Sequence, residues 1–474
     1  MDLSRRQFVN RSLLGGIGIA LVGNVGAVTA AAPAAADDGE PAGYGPLVAD
    51  PAGRLSLPAG FSYKIVTEAG KTTLESGEPT PQKHDGMATF IRPDGGSVIV
   101  YNHEIKVSHN AEFPVPRLPG LTYDPIAPGG CTVVEVDAEG NRVTEYVALA
   151  GTQTNCAGGR TPWNTWLSCE ETEDRAGKDG LQFDHGFTFE VDPYNRQANQ
   201  DPKPIKALGR FSHEAAVVDP NTGHIYQTED ASGPNGLFYR FTPPASALPL
   251  GPGKLRALGD NDGTLEAMTA IDASGQHVDD LSRATQVGTR YGVTWVSVPD
   301  RAAATTSIRK QFTDDQITRG RKLEGAWWGD GGAYFVCSYA RVEDSPGTPH
   351  DGQVWFYNPR RQTIELKLRF EYDQNDDAQF DGPDNITVSS RGNGLILAED
   401  GDGKSHLFGA TYDGQTYPLA RNEINTGTAL EPDYSEFCGP VFSPDGNILF
   451  ASVQTPGVLY AITGNWDRLE GDDD

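Results

Sequence analysis

The sequence has 474 residues and little of several things. Only five cysteines are present, Cys131, Cys156, Cys169, Cys337 and Cys438, and no two form a CxxC pair. Nothing in that spacing suggests a zinc cage. Four of the five could cross-link, but the odd count leaves at least one thiol over. Basic charge is scarce: 38 Lys and Arg stand against 65 Asp and Glu, a formal net charge of −27. That balance argues against nucleic acid and anionic membrane as partners. After the first thirty residues no stretch is long and apolar enough to cross a bilayer. Helical periodicity is also scarce. Neither a serine-nucleophile motif nor a glycine-rich phosphate loop is found.

The amino terminus carries its own signal. Ser4-Arg5-Arg6-Gln7-Phe8-Val9 is a twin-arginine pattern, followed by a moderately apolar, glycine-containing run from Leu13 to Val28. Ala30-Ala31-Ala32 and Ala34-Ala35-Ala36 are small-x-small cleavage sites. Residues 1–36 therefore read as a twin-arginine (Tat) export signal, with the Tat machinery as partner and a secreted, periplasmic or cell-surface destination. The run is short and glycine-rich for a membrane anchor. Residues 1–36 carry a net +2 from Arg5, Arg6 and Arg11 against Asp2, so residues 37–474 carry −29. Much of that charge serves solubility. It would also repel an anionic substrate unless cations were bound.

What the chain has in abundance is turn chemistry, with 56 Gly and 33 Pro. Pro93-Asp94-Gly95-Gly96, Asp219-Pro220-Asn221-Thr222-Gly223 and Ser443-Pro444-Asp445-Gly446 are turn signals. Between such turns lie short β-branched and aromatic segments, including Ser97–Tyr101, Cys131–Val136, Tyr291–Val296, Ala333–Cys337, Val354–Tyr357, Leu395–Ala398, Ile448–Ala451 and Val458–Ala461. These suit pleated surfaces. The pattern predicts an all-β chain: one large β-propeller over residues 37–474, with a pair of β-sandwiches as the alternative. Six blades would use roughly 73 residues each, against the ~40–45 of a minimal blade. Asp179–Gln200, Pro243–Gly263 and Tyr372–Gly382 are expected to be the long loops.

The chemistry-bearing residues sit at predicted strand ends. In chain order they include Asn102-His103-Glu104, Asn155-Cys156, Glu170-Glu171, His213-Glu214, Glu229-Asp230, Lys322-Leu323-Glu324, Asp384-Asn385, Glu399-Asp400 and Glu436-Phe437-Cys438. Taken singly, a carboxylate after a strand is a turn former or a solvated group. Histidines such as His103 and His213, and Trp163, Trp166, Trp327 and Trp328, read first as packing residues. In a propeller, however, equivalent strand ends converge on a central channel. Carboxylates gathered there repel one another unless cations bind or protons are shared. Hard oxygen ligands suit calcium. A thiolate such as Cys156 suits iron, zinc or copper. Cys156 also fits a plain buried thiol.

These segments together resemble the PhoX alkaline phosphatase family. The resemblance runs from Leu57-Pro58-Ala59-Gly60-Phe61 and Asp85-Gly86-Met87-Ala88, through Asn102-His103-Glu104 and Asn155–Glu171, to Glu436–Gly446. It implies a six-bladed propeller that hydrolyses phosphate monoesters with calcium and iron in its channel. It implies Cys156 as an iron ligand and Glu171, Glu214, Glu324, Asp384 and Asn385 as sources of metal oxygens. Glu399, Asp400 and Glu436 are further carry-overs. Family phosphatases resemble one another in an arginine two residues before the glutamate matching Glu324. Here Lys322 stands there, beside Arg321, so phosphate binding falls to one of these two. Arginine grips phosphate through two parallel hydrogen bonds, whereas lysine offers a compact charge. Other readings of the scaffold are a calcium-dependent lactonase or phosphotriesterase, or a non-enzymatic propeller stabilised by calcium.

Overall fold

The computed structural model describes residues 43–340, 351–371, 380–392, 394–401 and 403–469. The export-signal reading of residues 1–36 lies outside them, as does most of the Tyr372–Gly382 loop. Strands dominate, and the helices are short 3-10 turns. Among the described residues no helix is long and apolar enough to cross a membrane.

The strands form antiparallel meanders in a propeller-like arrangement. His84–Ile91, Ser97–His103, Gly129–Val136 and Arg142–Thr152 pair in sequence order. Asn155–Arg160, Trp166–Glu170 and Thr188–Val191 make a smaller sheet. Pro383–Val388, Leu395–Glu399, His406–Ala410 and Thr416–Asn422 continue into Leu55–Pro58 and Leu47–Val48. Phe437–Phe442, Leu449–Val453 and Val458–Thr463 take Ser62–Glu68 as their outer strand, so the first part of the chain closes on the last.

Among the described residues hydrogen bonding defines five sheets, because one sheet has ten strands. It contains the meander from His213–Val218 through Ile225–Glu229, Phe238–Thr242 and Thr264–Ile271 to Arg290–Ser297. It also contains the meander of Leu323–Gly329, Gly332–Cys337, Gly352–Asn358 and Thr363–Phe370. The two are joined where Arg290–Gly292 pairs with Thr363–Glu365. Unpaired outer edges are a liability, and here two edges satisfy each other.

Burial follows position. Ser97–His103 is buried at every residue, whereas Thr363–Phe370 alternates half-buried and buried positions. A strand covered on both faces reads as a continuous apolar run, and an outer strand alternates. The inner strands His84–Ile91, Asn155–Arg160, His213–Val218, Leu323–Gly329, Pro383–Val388 and Phe437–Phe442 pack side by side in chain order, and the last returns to the first. Trp327, half-buried, packs against three separate apolar clusters across this ring.

Two sequence expectations change. Thr188–Val191 is a strand inside the segment read as a loop. Its register against Trp166–Cys169 buries Phe189 and Val191, a short alternation easily lost among the surrounding polar residues. All five cysteines are free and buried, so the cross-linking considered for four of them does not occur. The Pro243–Gly263 segment contains no strand, as expected.

Candidate metal centre

Each inner strand makes the same local departure near its start. Register against the second strand shifts between His84 and Met87, Asn155 and Gly158, His213 and Ala216, Leu323 and Ala326, Pro383 and Ile386, and Cys438 and Val441. Such shifts re-aim a side chain. At or within the shifts stand Asp85, Cys156, Glu214, Glu324, Asp384 and Cys438, all at most 5% exposed. A small residue or asparagine follows every one of them. The reason is close approach: a Cβ on Gly86 would lie 2.6 Å from the Ala157 Cα, and one on Gly325 2.8 Å from the Asn385 Cα.

A second tier comes from the residue just past each second strand: Glu104, Glu171, Asp230, Ser338, Asp400 and Gln454. Five of these are held by their own amide. Glu104 N–H donates to the Lys83 carbonyl, Glu171 to Thr154, Ser338 to Lys322, Asp400 to Gly382 and Gln454 to Glu436, at 2.8 to 3.2 Å.

The ligand atoms meet in three overlapping groups. Cys156, Glu171 and Glu214 lie within 4.8 Å of one another, as do Glu214, Glu324 and Asp384, and Asp384, Asp400 and Glu436. Glu214 belongs to the first two groups and Asp384 to the last two. Burial pushes the Glu214 carboxyl well up, and Glu324, Asp384 and Glu171 push it further. Asp384 is raised by burial, then by Glu324, Glu436 and Asp400. The Cys156 thiol is raised by burial, then by Asp85 and Glu214. Glu214 is 0% exposed, and neither of its oxygens meets a hydrogen-bond partner among the described residues. A buried carboxylate without a donor is costly unless a proton or a cation neutralises it. The residues present therefore fit bound metal, with one thiol-containing group and two groups made of carboxylates alone.

The remaining expected residues divide. Lys322 reaches the cluster, its Nζ 2.8 Å from Asp230 Oδ2 and 2.8 Å from Glu324 Oε1. Arg321 pairs with Asp280 at 3.0 Å. Asn385 bridges inner strands, its Oδ1 accepting from Gly439 N–H at 2.7 Å and its Nδ2 donating to Asp384. Glu399 lies outside the three groups: its carboxylate accepts from His406 N, His406 Nδ1 and Asp381 N at 2.7 to 2.9 Å. Glu170 and Glu229 occupy the same position, the last of a second strand. Glu170 accepts from His185 Nδ1 at 2.6 Å and from Gly186 N. Glu229 accepts from Tyr239 Oη at 2.6 Å and Arg309 at 3.0 Å. In Glu170-Glu171, Glu229-Asp230 and Glu399-Asp400 the first acid anchors the strand end, while Glu171 and Asp400 join ligand groups and Asp230 meets Lys322.

His103 and His213 are packing residues, as expected. His103 bonds the Gln82 carbonyl and Thr132, and His213 stacks on Phe211 with ring centroids 3.6 Å apart. Sequence reading passed over Asp85 and Cys438 as ring members. The signal available was the recurring acid or cysteine followed by a small residue. Asn102 was also informative: its Nδ2 donates to the Cys156 and Ala157 carbonyls at 2.9 and 2.7 Å, tying one inner strand to the next.

The family model described as alkaline phosphatase PhoX matches residues 42–145 and 138–457. The chain belongs to the PhoX alkaline phosphatase family. Membership makes it a phosphatase by family. Among solved structures it is similar to PhoX of Pseudomonas fluorescens in complex with vanadate, a transition state analogue. That match has a TM-score of 0.63 and 17% identity, and covers 87% of this chain and 96% of the other. A gluconolactonase from Xanthomonas campestris aligns with a TM-score of 0.40 and 12% identity, over 90% of this chain and 95% of the other. No curated protein gave a match. For this PhoX-family chain the solved relatives speak to the β-propeller alone.

Proposed function

We propose that the protein is a secreted, metal-dependent phosphomonoesterase that releases phosphate from small organic esters. The observation that carries the metal part is Glu214, buried, without a hydrogen-bond donor and shared between two ligand groups. Cys156, Glu171 and Glu214 would hold iron, because a thiolate favours a transition metal. Glu214, Glu324 and Asp384, and Asp384, Asp400 and Glu436, would hold calcium, which prefers oxygen. When bound, these ions would supply positive charge for phosphoryl oxygens and make water a better nucleophile near neutral pH. The chain's part is to hold the ligands rigid through the anchoring glutamates and to add the Lys322 ammonium beside them.

The ring of inner strands and the closure by Ser62–Glu68 support six blades, two of them fused by the Arg290–Gly292 pairing. Export by the Tat route rests on the twin-arginine motif. Five buried free thiols accord with folding in a reducing compartment before transfer.

The test is p-nitrophenyl phosphate hydrolysis by protein lacking residues 1–36, purified with calcium, before and after chelation. Turnover should disappear with the metal and return with added calcium, and the melting temperature should fall on chelation. Activity and melting temperature both unchanged after chelation would sink the metal reading. Iron and calcium present without turnover would exclude this ester class and turn attention to other esters or lactones.

A further inference from the structure

Lys322 has a left-handed backbone, φ 49°. Lys83, Thr154 and Gly382, two residues before Asp85, Cys156 and Asp384, share that conformation at φ 58°, 53° and 47°. The conformation is thus a feature of the repeating entry into the inner strand. What is particular to Lys322 is where its side chain goes. Its Nζ lies 2.8 Å from both Asp230 and Glu324, whose side chains are 7% and 2% exposed. Lys83 differs: its Nζ donates to the amide oxygen of Gln454 at 2.7 Å.

A second observation falls in the same sector. At the second-strand position four meanders supply a carboxylate, Glu104, Glu171, Asp230 or Asp400, whereas the last supplies Gln454 and the Lys322 meander supplies Ser338. Ser338 Oγ donates to Glu324 Oε1 at 3.2 Å. The Lys322 meander thus lacks a carboxylate at this position, and its ammonium meets two carboxylates, whereas the Lys83 ammonium meets the neutral Gln454. Both changes lower the negative charge that a metal ion would otherwise have to balance.

We propose that the Lys322 ammonium is a resident cation of the cluster, holding Asp230 and Glu324 together in place of a metal ion. The inference rests on the metal reading above. It concerns ion number, and it makes Lys322 a positioning residue for the two carboxylates as well as a charge beside the substrate.

Neutralising Lys322 should then open a place for calcium. Calcium per chain is measured by elemental analysis after dialysis against calcium, and by titration calorimetry. Lys322→Met and Lys322→Gln should each bind one more ion per chain than the wild type, and Lys322→Arg should not. Lys83→Met, whose amine meets an amide oxygen, should leave the number unchanged. An unchanged or lower number in both neutral variants overturns the proposal. If the neutral variants fold only in millimolar calcium, the ion has taken the ammonium's place and the proposal stands. If they fail to fold even then, the ammonium is not replaceable by an ion and the proposal falls. A wild type that binds no cation overturns the metal reading itself, a separate result.

Discussion

Glu214 and Glu229 lie on neighbouring strands of one meander, and both are 0% exposed. They are chemically identical and differently supplied. Glu229 accepts from Tyr239 Oη, from Leu237 N–H at 3.2 Å and from Arg309, which also pairs with Glu173. Glu214 accepts from no described donor. The protein balances the first carboxylate with its own donors and supplies the second with none among the described residues, which is what the proposed metal site requires. Burial raises both carboxyls, Glu229 to about 7, with Arg309 and Tyr239 pulling it back. Neighbouring acids drive Glu214 further up. A related division separates Glu170 from Glu171 and Glu399 from Asp400: the first acid of each pair anchors its strand end, and the second joins a ligand group. Burial of an acid does not mark a ligand; burial without a donor does.

The largest effect should come from breaking the shared ligand. Glu214→Gln removes charge from two ligand groups and should lower p-nitrophenyl phosphate turnover at least ~100-fold, since losing even an outer partner of a metal ligand commonly costs 10–100-fold. Bound metal should fall in parallel, and melting of the metal-free variant should be no lower than that of the metal-free wild type. A variant with near wild-type metal content would erase the distinction between the two glutamates.

Glu229→Gln sharpens it through pH. The folded state holds the Glu229 proton up to about pH 7, whereas the unfolded chain releases it near 4.5. Between these values the unfolded chain binds fewer protons, so this group's contribution to stability falls as pH rises and levels off above about 7. Relative to wild type, Glu229→Gln should therefore gain about 3 kcal/mol between pH 4.5 and 7. Urea unfolding at fixed calcium checks this, and a gap that stays constant with pH would refute it.

Gly325→Ala tests the close approach that aims Glu324. Its Cβ would lie 2.8 Å from the Asn385 Cα, contact with backbone that has little room to move. Overpacking of this kind costs about 1–3 kcal/mol. The melting temperature should fall, and calcium affinity with it, while the same change at Gly251 should leave affinity unaltered, because nothing lies within 4 Å there.

Arg321→Gln should have the smallest effect. Arg321 pairs with Asp280, so turnover should stay within about threefold of wild type. A loss larger than that of Lys322→Gln would transfer the phosphate-facing role to Arg321.

Much of the architecture is legible in local sequence. Eight segments read as strands overlap observed ones, because β-branched alternation and turn chemistry act over a few residues. Thr188–Val191 escaped because it holds only two apolar residues, Phe189 and Val191, next to a polar, turn-rich stretch. The candidate site was legible as a set of strand-end acids but not as a sorted set. Glu399 and Asp400 are adjacent and similar, yet one faces His406 and the other joins Asp384 and Glu436. Asp85 is silent in the sequence, since nothing within its own strand says that Cys156 will come within 3.6 Å.

By itself, the sequence determined an all-β chain with acids and cysteines at the starts and ends of strands. Hydrophobic alternation, turn residues and composition are local properties and carry that far. Only the tertiary structure decided which acids meet. Successive side chains on a strand point to opposite faces, so a register shift and ring closure choose the one that joins the cluster. Donors to the rest come from other elements, such as Arg309 for Glu229, and that supply separates an anchored carboxylate from one left to bind a cation.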